Sequence, residues 1–182
     1  MHRFFADERG IVQDVAYLNA EDAGHALRVL RLESGDEVEL VCAPARYRAK
    51  IDSTEGGEVR LRVIEKLRDT EARTRVTLYQ GLPKADKMEL IVQKSTELGA
   101  AAIAPVAMIR SVVKLEGKDA AKKTERWQKI AREAVKQCAR VSAPEVRLPR
   151  KLSAMREELS ALDVLIVPWE DARDGSVADC LA

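Results

Sequence analysis

The sequence is poor in the residues that metal, redox and stacking chemistry need. It has three cysteines, two histidines and 4% aromatics in 182 residues. Cys42, Cys138 and Cys180 are far apart and odd in number, which fits a reducing cytosol and no disulfide framework. Two histidines without a Cys-x-x-Cys pair argue against a structural zinc site. So few aromatics argue against a broad base-stacking platform. Charges interrupt every apolar run, so no stretch approaches membrane-spanning length. The N-terminus, MHRFFADERG, has no apolar h-region, so nothing marks it for secretion and a cytoplasmic protein is expected. Phosphate-binding glycines are missing too. Neither G-x-G-x-x-G nor G-x-x-x-x-G-K-[ST] occurs, and those glycines are what let backbone approach a phosphate.

What is present is a soluble composition, 46% hydrophobic and 34% charged, with a formal net charge of only +1. The distribution is uneven. Residues 71–140 carry 15 Lys+Arg against 8 Asp+Glu, while the flanking segments are each net −3. A basic block in a neutral chain is either a well-solvated helix face or a footprint for phosphate.

Hydrophobic period divides the chain. Residues 1–70 alternate: DEVELVCA (36–43) sets Val38, Leu40 and Cys42 against polar partners, RYRAKI (46–51) follows as a hairpin, and EVRLRVIEK (58–66) alternates again. One short helix, NAEDAGHALRVL, interrupts them with Asn19 as N-cap. Short strands with tight turns suggest a small barrel. The segment 68–74 reads as a linker. From residue 75 the pattern becomes strand–helix–strand–helix–strand, which implies a parallel sheet. Its strands are RVTLYQG, AAIAPV (101–106) and DVLIVP (163–168). One helix opens on a capping-box-like Asp86/Glu89 and ends at Gly99. The next runs over about 119–140, with Trp127, Ile130, Ala131, Ala134, Val135 and Cys138 as its apolar stripe.

Ligands of such sheets collect at the carboxyl ends of the strands. The loops expected there bring Lys84, Lys87, Arg110, Glu170 and Asp171. Lys84 is a long cationic arm or a solvated turn lysine. Glu133, Gln137 and Arg140 recur along one helical stripe, which is either a site or a ladder of weak surface pairs. His25, Arg28 and Arg31 recur at three-residue steps, as a solvated face or as cations that grip a nucleic-acid backbone.

The segments HRFF, HALRVLRLESGDEVEL and YRAKI resemble the N-terminal domain of the 16S ribosomal RNA uracil-N3-methyltransferases. LPKADKMELIVQKSTELGAAAIAPV, RSVVK and AREAVKQCARVSAPEV resemble the first half of their catalytic domain. The resemblance is collinear over nearly the whole chain. It implies a PUA-like β-barrel over residues 1–70 (α+β) and an α/β parallel-sheet domain of the SPOUT, trefoil-knot type over 75–182. It also implies S-adenosyl-L-methionine as cofactor, a homodimer, no membrane, and 16S ribosomal RNA or the small ribosomal subunit as partner. By this match Arg140, Glu133 and Gln137 are catalytic, with Pro144 beside them. His25, Arg28, Arg31, Lys84 and Arg110 bind RNA, Glu97 matches the family's glutamate, and Glu170 lies toward the cofactor. The family continues past VPWEDARDG into a GPEGG-type loop that threads the knot. The sequence ends at Ala182, so the resemblance implies a fragment with an incomplete C-terminal domain. Two other readings stay open: a non-catalytic RNA-binding module, and a small-molecule α/β enzyme, against which the missing phosphate glycines count.

Overall fold

The computed structural model describes residues 1–68, 71–84, 86–109, 115, 117–138, 140–168, 176 and 178. Arg110, Glu170 and Asp171 therefore lie outside the described residues.

The alternating N-terminal segments form one five-stranded sheet. Its strands are β1 (Arg3–Phe5), β2 (Val15–Tyr17), β3 (Glu37–Cys42), β4 (Ala45–Ser53) and β5 (Arg60–Lys66), in the order β1-β3-β4-β5-β2. β1 runs parallel to β3 and the other pairs are antiparallel. An antiparallel bridge between Ala6 and Leu18 joins the two edge strands, so the sheet closes and leaves few open edges. The period-two pattern sends Phe4, Val38, Leu40, Ala49, Ile51 and Leu61 inward, each at most 2% exposed. Cys42, expected inside, is half-buried.

The expected N-terminal helix is α1 (Ala20–Gly24) followed by a π-helical turn, His25–Val29. Asn19 caps it, its Oδ1 accepting from the Asp22 N–H at 2.9 Å. The Asp22 carboxylate leaves the helix and accepts from the Phe5 N–H at 2.7 Å, which ties α1 to β1. Arg31 is not on this helix: its φ is +54°, so the three-residue spacing to His25 and Arg28 is not a helical stripe.

The second sheet is all parallel, as its alternation predicts. β6 (Thr77–Gly81) pairs with β7 (Ala102–Ala107), and β7 pairs on its far side with β8 (Glu145–Val146) and β9 (Arg150–Lys151). α2 (Lys87–Glu97) and α3 (Gly117–Gln137) are the crossovers. They pack Met88, Val92, Trp127 and Ala131 against Ile103 and Val146. Gly99 ends α2 as expected, with φ of +99°. The capping box is absent. The Asp86 side chain caps nothing, and Glu89 instead reaches Arg126 of α3 at 2.8 Å. That pair crosses between helices, which outcompetes a local cap.

The third strand differs from the sequence expectation. Residues 163–168 form no strand, and Val164, Leu165 and Val167 are 55%, 50% and 74% exposed. Its place is taken by 145–151, an extended segment interrupted between β8 and β9. Pro149 in the gap and Pro105 of β7 across from it have no N–H to give, so the ladder breaks there. Gln128 of α3 seats this segment: its Oε1 accepts from the Val146 N–H at 2.8 Å and its Nε2 donates to the Pro144 carbonyl at 3.0 Å.

A 3-10 turn, Leu152–Met155, and α4 (Arg156–Ser160) lie beyond β9. α4 is fastened by one carboxylate. Glu158 accepts from the Tyr79 hydroxyl at 2.7 Å and from Arg147 and Arg150. The Tyr79 hydroxyl and then Arg150 hold the Glu158 carboxyl below the usual carboxylate range. A carboxyl whose folded value is depressed contributes stability that is complete above its ordinary value and lost as pH falls through the folded one. Glu158→Gln should therefore destabilise the protein by about 1–2 kcal/mol at neutral pH and flatten the loss of stability below about pH 4.5, the ordinary value. Denaturant melts of both proteins across that range check this; parallel pH profiles would detach Glu158 from the docking of α4.

Candidate nucleic-acid interface and carboxyl-edge site

In a strand–helix–strand crossover the helix runs back against the strands. It starts at their carboxyl edge and ends at their amino edge. This directionality sorts the candidate residues of the second sheet.

At the carboxyl edge, β6 ends in Gly81 and the chain turns through the buried Leu82 to the exposed Lys84. A Cβ on Gly81 would come within 3.2 Å of Met108 Cγ, so this glycine lets the loops after β6 and β7 approach closely. It serves backbone packing rather than a phosphate. Lys84 has no ion pair among the described residues. Beside it Met108, Ile109 and Leu152 are 46%, 104% and 46% exposed, an apolar ledge at the strand ends. The neighbouring cavity, lined by Leu82, Pro83, Met88 and Trp127 among others, holds only about 40 Å³. That is room for water, not for a nucleoside, which needs a few hundred Å³. The described residues thus offer a nucleoside cofactor an open ledge and do not enclose one.

Glu133, Gln137 and Arg140 lie at the other edge, because they sit at the end of α3. Glu133 and Gln137 are exposed, and Glu133 lies 3.4 Å from Lys136. Arg140 is past the helix, which stops at Gln137. Its side chain is only 12% exposed and is fully engaged. Nε and Nη2 donate to Glu71 at 3.1 and 2.8 Å, and Nη1 donates to the Thr96 and Ala100 carbonyls at 3.2 and 2.7 Å. Glu71 also accepts from the Val141 N–H at 2.8 Å. Burial pushes the Glu71 carboxyl up, but the Arg140 and Val141 hydrogen bonds outweigh it and leave it below its usual range. Arg140 is thus a bridge between residue 71, the end of α2 and the start of β7, not a member of a solvated stripe. Glu97 sits on the α2 surface, accepting from Lys94 at 2.7 Å and Gln93 at 3.0 Å.

On the first sheet, His25, Arg28 and Arg31 are all exposed, and none is in an ion pair among the described residues. The π-helical turn and the left-handed Arg31 together keep three cationic or titratable side chains in solvent while Ala26 is fully buried beneath them. Nearby Arg9 is already committed: it stacks on the Tyr17 ring at 3.7 Å and pairs with Asp7 and Glu58. Unpaired cations on a rigid, buried-backed turn are what a phosphate backbone needs.

Sequence reasoning missed Arg3, Glu71, Gln128 and Glu158. Each acts through a partner far away in the chain, and periodicity carries no signal for such pairs. Among the described residues there is no cluster of metal-ligating side chains and no helix long and apolar enough to cross a membrane.

A family model described as an RNA methyltransferase domain matches residues 70–180, the segment that contains the whole second sheet. The ribosomal RNA small subunit methyltransferase E of Bacillus subtilis (strain 168) is 37% identical over 158 residues, 85% of this chain and 61% of that protein. The protein of the same name from Aquifex aeolicus (strain VF5) is 31% identical, covering 87% of this chain and 67% of its own length. The chain therefore spans about three fifths to two thirds of these relatives. A crystal structure of a ribosomal RNA small subunit methyltransferase E from Neisseria gonorrhoeae, bound to S-adenosyl methionine, matches with a TM-score of 0.66 at 30% identity, over 89% of this chain and 66% of that one. Another, described as a hypothetical protein, matches with a TM-score of 0.78 at 32% identity, over 93% and 71%. The α/β fold with its parallel β6–β9 sheet is thus that of these enzymes, and the chain belongs to the RNA methyltransferase family.

Proposed function

We propose that this protein is an S-adenosylmethionine-dependent methyltransferase that modifies N3 of a uridine in 16S ribosomal RNA, in the cytoplasm and as a homodimer. The observation that carries this reading is the match of residues 70–180 to the RNA methyltransferase family, laid over a parallel sheet that also resembles a structure bound to S-adenosyl methionine. Residues 1–70 are taken as a PUA-like RNA-binding domain and residues 75–182 as part of a SPOUT-type, knotted catalytic domain. Two separate hydrophobic clusters, one under each sheet, support that division.

The cofactor would supply an electrophilic methyl group on a sulfonium. Transfer would form the N3–CH₃ bond as the donor's S–CH₃ bond breaks and leaves a neutral thioether, and the uridine N3 would give up its proton to solvent or to a base. What this chain's own residues do is bind and orient. His25, Arg28 and Arg31 take the RNA backbone on the first sheet. Lys84 takes a phosphate at the carboxyl edge of the second, and Arg110 belongs to the same reading. Cations there also favour the imide anion as N3 loses its proton. Glu133 and Gln137 are presented on the α3 surface, where a second copy or RNA can reach them. Arg140 acts from the opposite edge, by holding residue 71, the end of α2 and the start of β7, since each of its guanidinium nitrogens is engaged. The alternative is a module that binds ribosomal RNA without chemistry, favoured by the exposed turn carrying His25, Arg28 and Arg31, which needs no cofactor to hold a phosphate backbone.

The reading is tested by incubating the protein with methyl-labelled S-adenosylmethionine and unmodified small-subunit RNA, then digesting to nucleosides. Label in 3-methyluridine is expected. Label in another nucleoside overturns the N3 assignment, and RNA binding without label favours the non-catalytic module.

A second expectation concerns the grip. Arg28→Ala with Arg31→Ala should weaken binding to a 16S RNA fragment by about tenfold or more near 0.1 M salt. It should also reduce the slope of log K against log salt by about one unit for each phosphate that is no longer neutralised. Both side chains are exposed, so the melting temperature should stay within about 2 °C. An unchanged slope in a filter-binding titration would remove these arginines from the interface.

A further inference from the structure

The C-terminal end of α3 is where the two sheets meet, and charged side chains from both sides converge on it. From β1, Arg3 donates to the Cys138 carbonyl at 3.1 Å and to the Arg140 carbonyl at 2.5 Å. This places a guanidinium from the first sheet at the negative end of the α3 dipole, where carbonyls lack helical partners. From α1, Glu21 accepts from Lys136 at 2.9 Å. Behind Arg3, Glu39 of β3 lies 3.5 Å from Arg3 and 3.4 Å from Arg46, and Arg46 donates to the Arg68 carbonyl at 2.9 Å. On the other side Arg140 grips Glu71. The connection between the sheets, residues 67–76, is therefore held at Arg68 by a residue of the first sheet and near its middle, at Glu71, by a residue of the second. The side chains of Arg3, Glu39, Arg46, Arg140 and Glu71 are 12–21% exposed, too buried to be an ordinary surface ladder. The same packing explains why Val41, on the outward face of β3 beside Arg46 in the register, is only 2% exposed.

We infer that Arg3, Glu71 and Arg140 are positioning residues that lock the N-terminal sheet onto the methyltransferase sheet and so set the path of bound RNA from the Arg28 turn to the carboxyl edge. The last clause rests on the RNA reading given above; the lock itself does not. Arg140 joins three strand and helix ends of its own sheet to the linker, while its carbonyl accepts from Arg3, so one residue couples both bodies. β1 and α1 move together because Asp22 ties them. The exposed His25 and Arg28 therefore follow Arg3. Two phosphate-binding surfaces held rigidly bind one RNA as a single ligand. Freed, they bind as two modules at the effective concentration the linker allows.

The test uses the whole 182-residue chain and four variants: Arg3→Lys, Glu71→Gln, Arg140→Lys and Arg140→Ala. Three readouts are taken from each: X-ray scattering in solution, the rate of trypsin cleavage after Arg68, Arg73 and Arg75, and affinity for the 16S fragment across salt. The wild type should be compact and resist cleavage at these sites. Glu71→Gln and Arg140→Lys should be cut there at least tenfold faster and scatter as longer particles. Their RNA affinity should fall about tenfold with an unchanged salt slope, because the phosphate-binding side chains remain and only their coupling is broken. A merely stabilising role lowers the melting temperature without lengthening the folded particle or separating affinity from slope. Should Arg140→Ala fail to fold, the conservative pair and Arg3→Lys still decide. Folded variants with wild-type scattering and cleavage overturn the lock. Opened variants with wild-type RNA affinity overturn its role in setting the RNA path. Neither result touches the Arg28/Arg31 measurement, which alone reports on the RNA reading.

Discussion

A crossover helix cannot end on the side of the sheet where it began, and the assignment of sites in this protein depends on that constraint. α2 and α3 both leave the carboxyl edge and return to the amino edge. Lys84 follows a strand and lies at the edge where parallel sheets hold their ligands. Arg140 follows a helix and lies at the opposite edge, against Thr96, Ala100 and Glu71. Two cations in one basic block are thereby separated by the length of the strands. One is available to an outside anion and the other is committed to holding the chain.

The same distinction runs through the basic block as a whole. Fifteen cations in residues 71–140 suggest a phosphate footprint, but some of them are answered internally. Arg126 is matched by Glu89, Lys136 by Glu21 and Glu133, and Arg140 by Glu71. These pairs join α2 to α3 and α3 to the first sheet, so they act as fasteners between elements. An exposed pair of this kind contributes little, whereas Arg140 and Glu71, mostly buried and each with further hydrogen bonds, would leave an unmatched charge if either were removed. Charge content read from a sequence measures supply. Only the pairing in space separates what remains for a ligand.

Local features were legible in the sequence because local forces made them. The alternation in β3, β4 and β5, the Asn19 cap and the left-handed Gly99 all follow from near neighbours. The parallel sheet followed from the order of the elements. The misreadings have a common physical origin. The apolar run 163–168 looks like a buried strand, yet the place beside β7 is filled by 145–151, whose prolines and arginines hide its strand character. Gln128 seats that segment through the Val146 N–H and the Pro144 carbonyl, and no periodicity announces a glutamine that will do so. Arg31 fell on a three-residue rhythm, but a π-helical turn and a left-handed residue broke the rhythm before it. Of the candidate site, the exposed basic turn and Lys84 were readable from composition and spacing. The burial of Arg140 was not, because its partners are 40 to 69 residues away.

If RNA is held on the first sheet and modified at the second, the rate depends on how well the held segment is aimed. Alignment can account for a large share of catalysis, and errors of about 1 Å are costly. A flexible linker would leave that aim to chance. Here Arg46 fixes the start of the linker, Arg140 fixes its middle at Glu71, and Arg3 joins the two bodies directly. On the proposed reading, the exposed arginines that would grip RNA and the buried arginines that hold the frame do different parts of one task. Substituting the first kind weakens binding while the fold stands. Substituting the second kind leaves the RNA-gripping side chains in place and spoils their alignment. An arginine matched to a catalytic motif can thus affect turnover without touching the base, by keeping the surface that carries the RNA in register with the edge where the base must arrive.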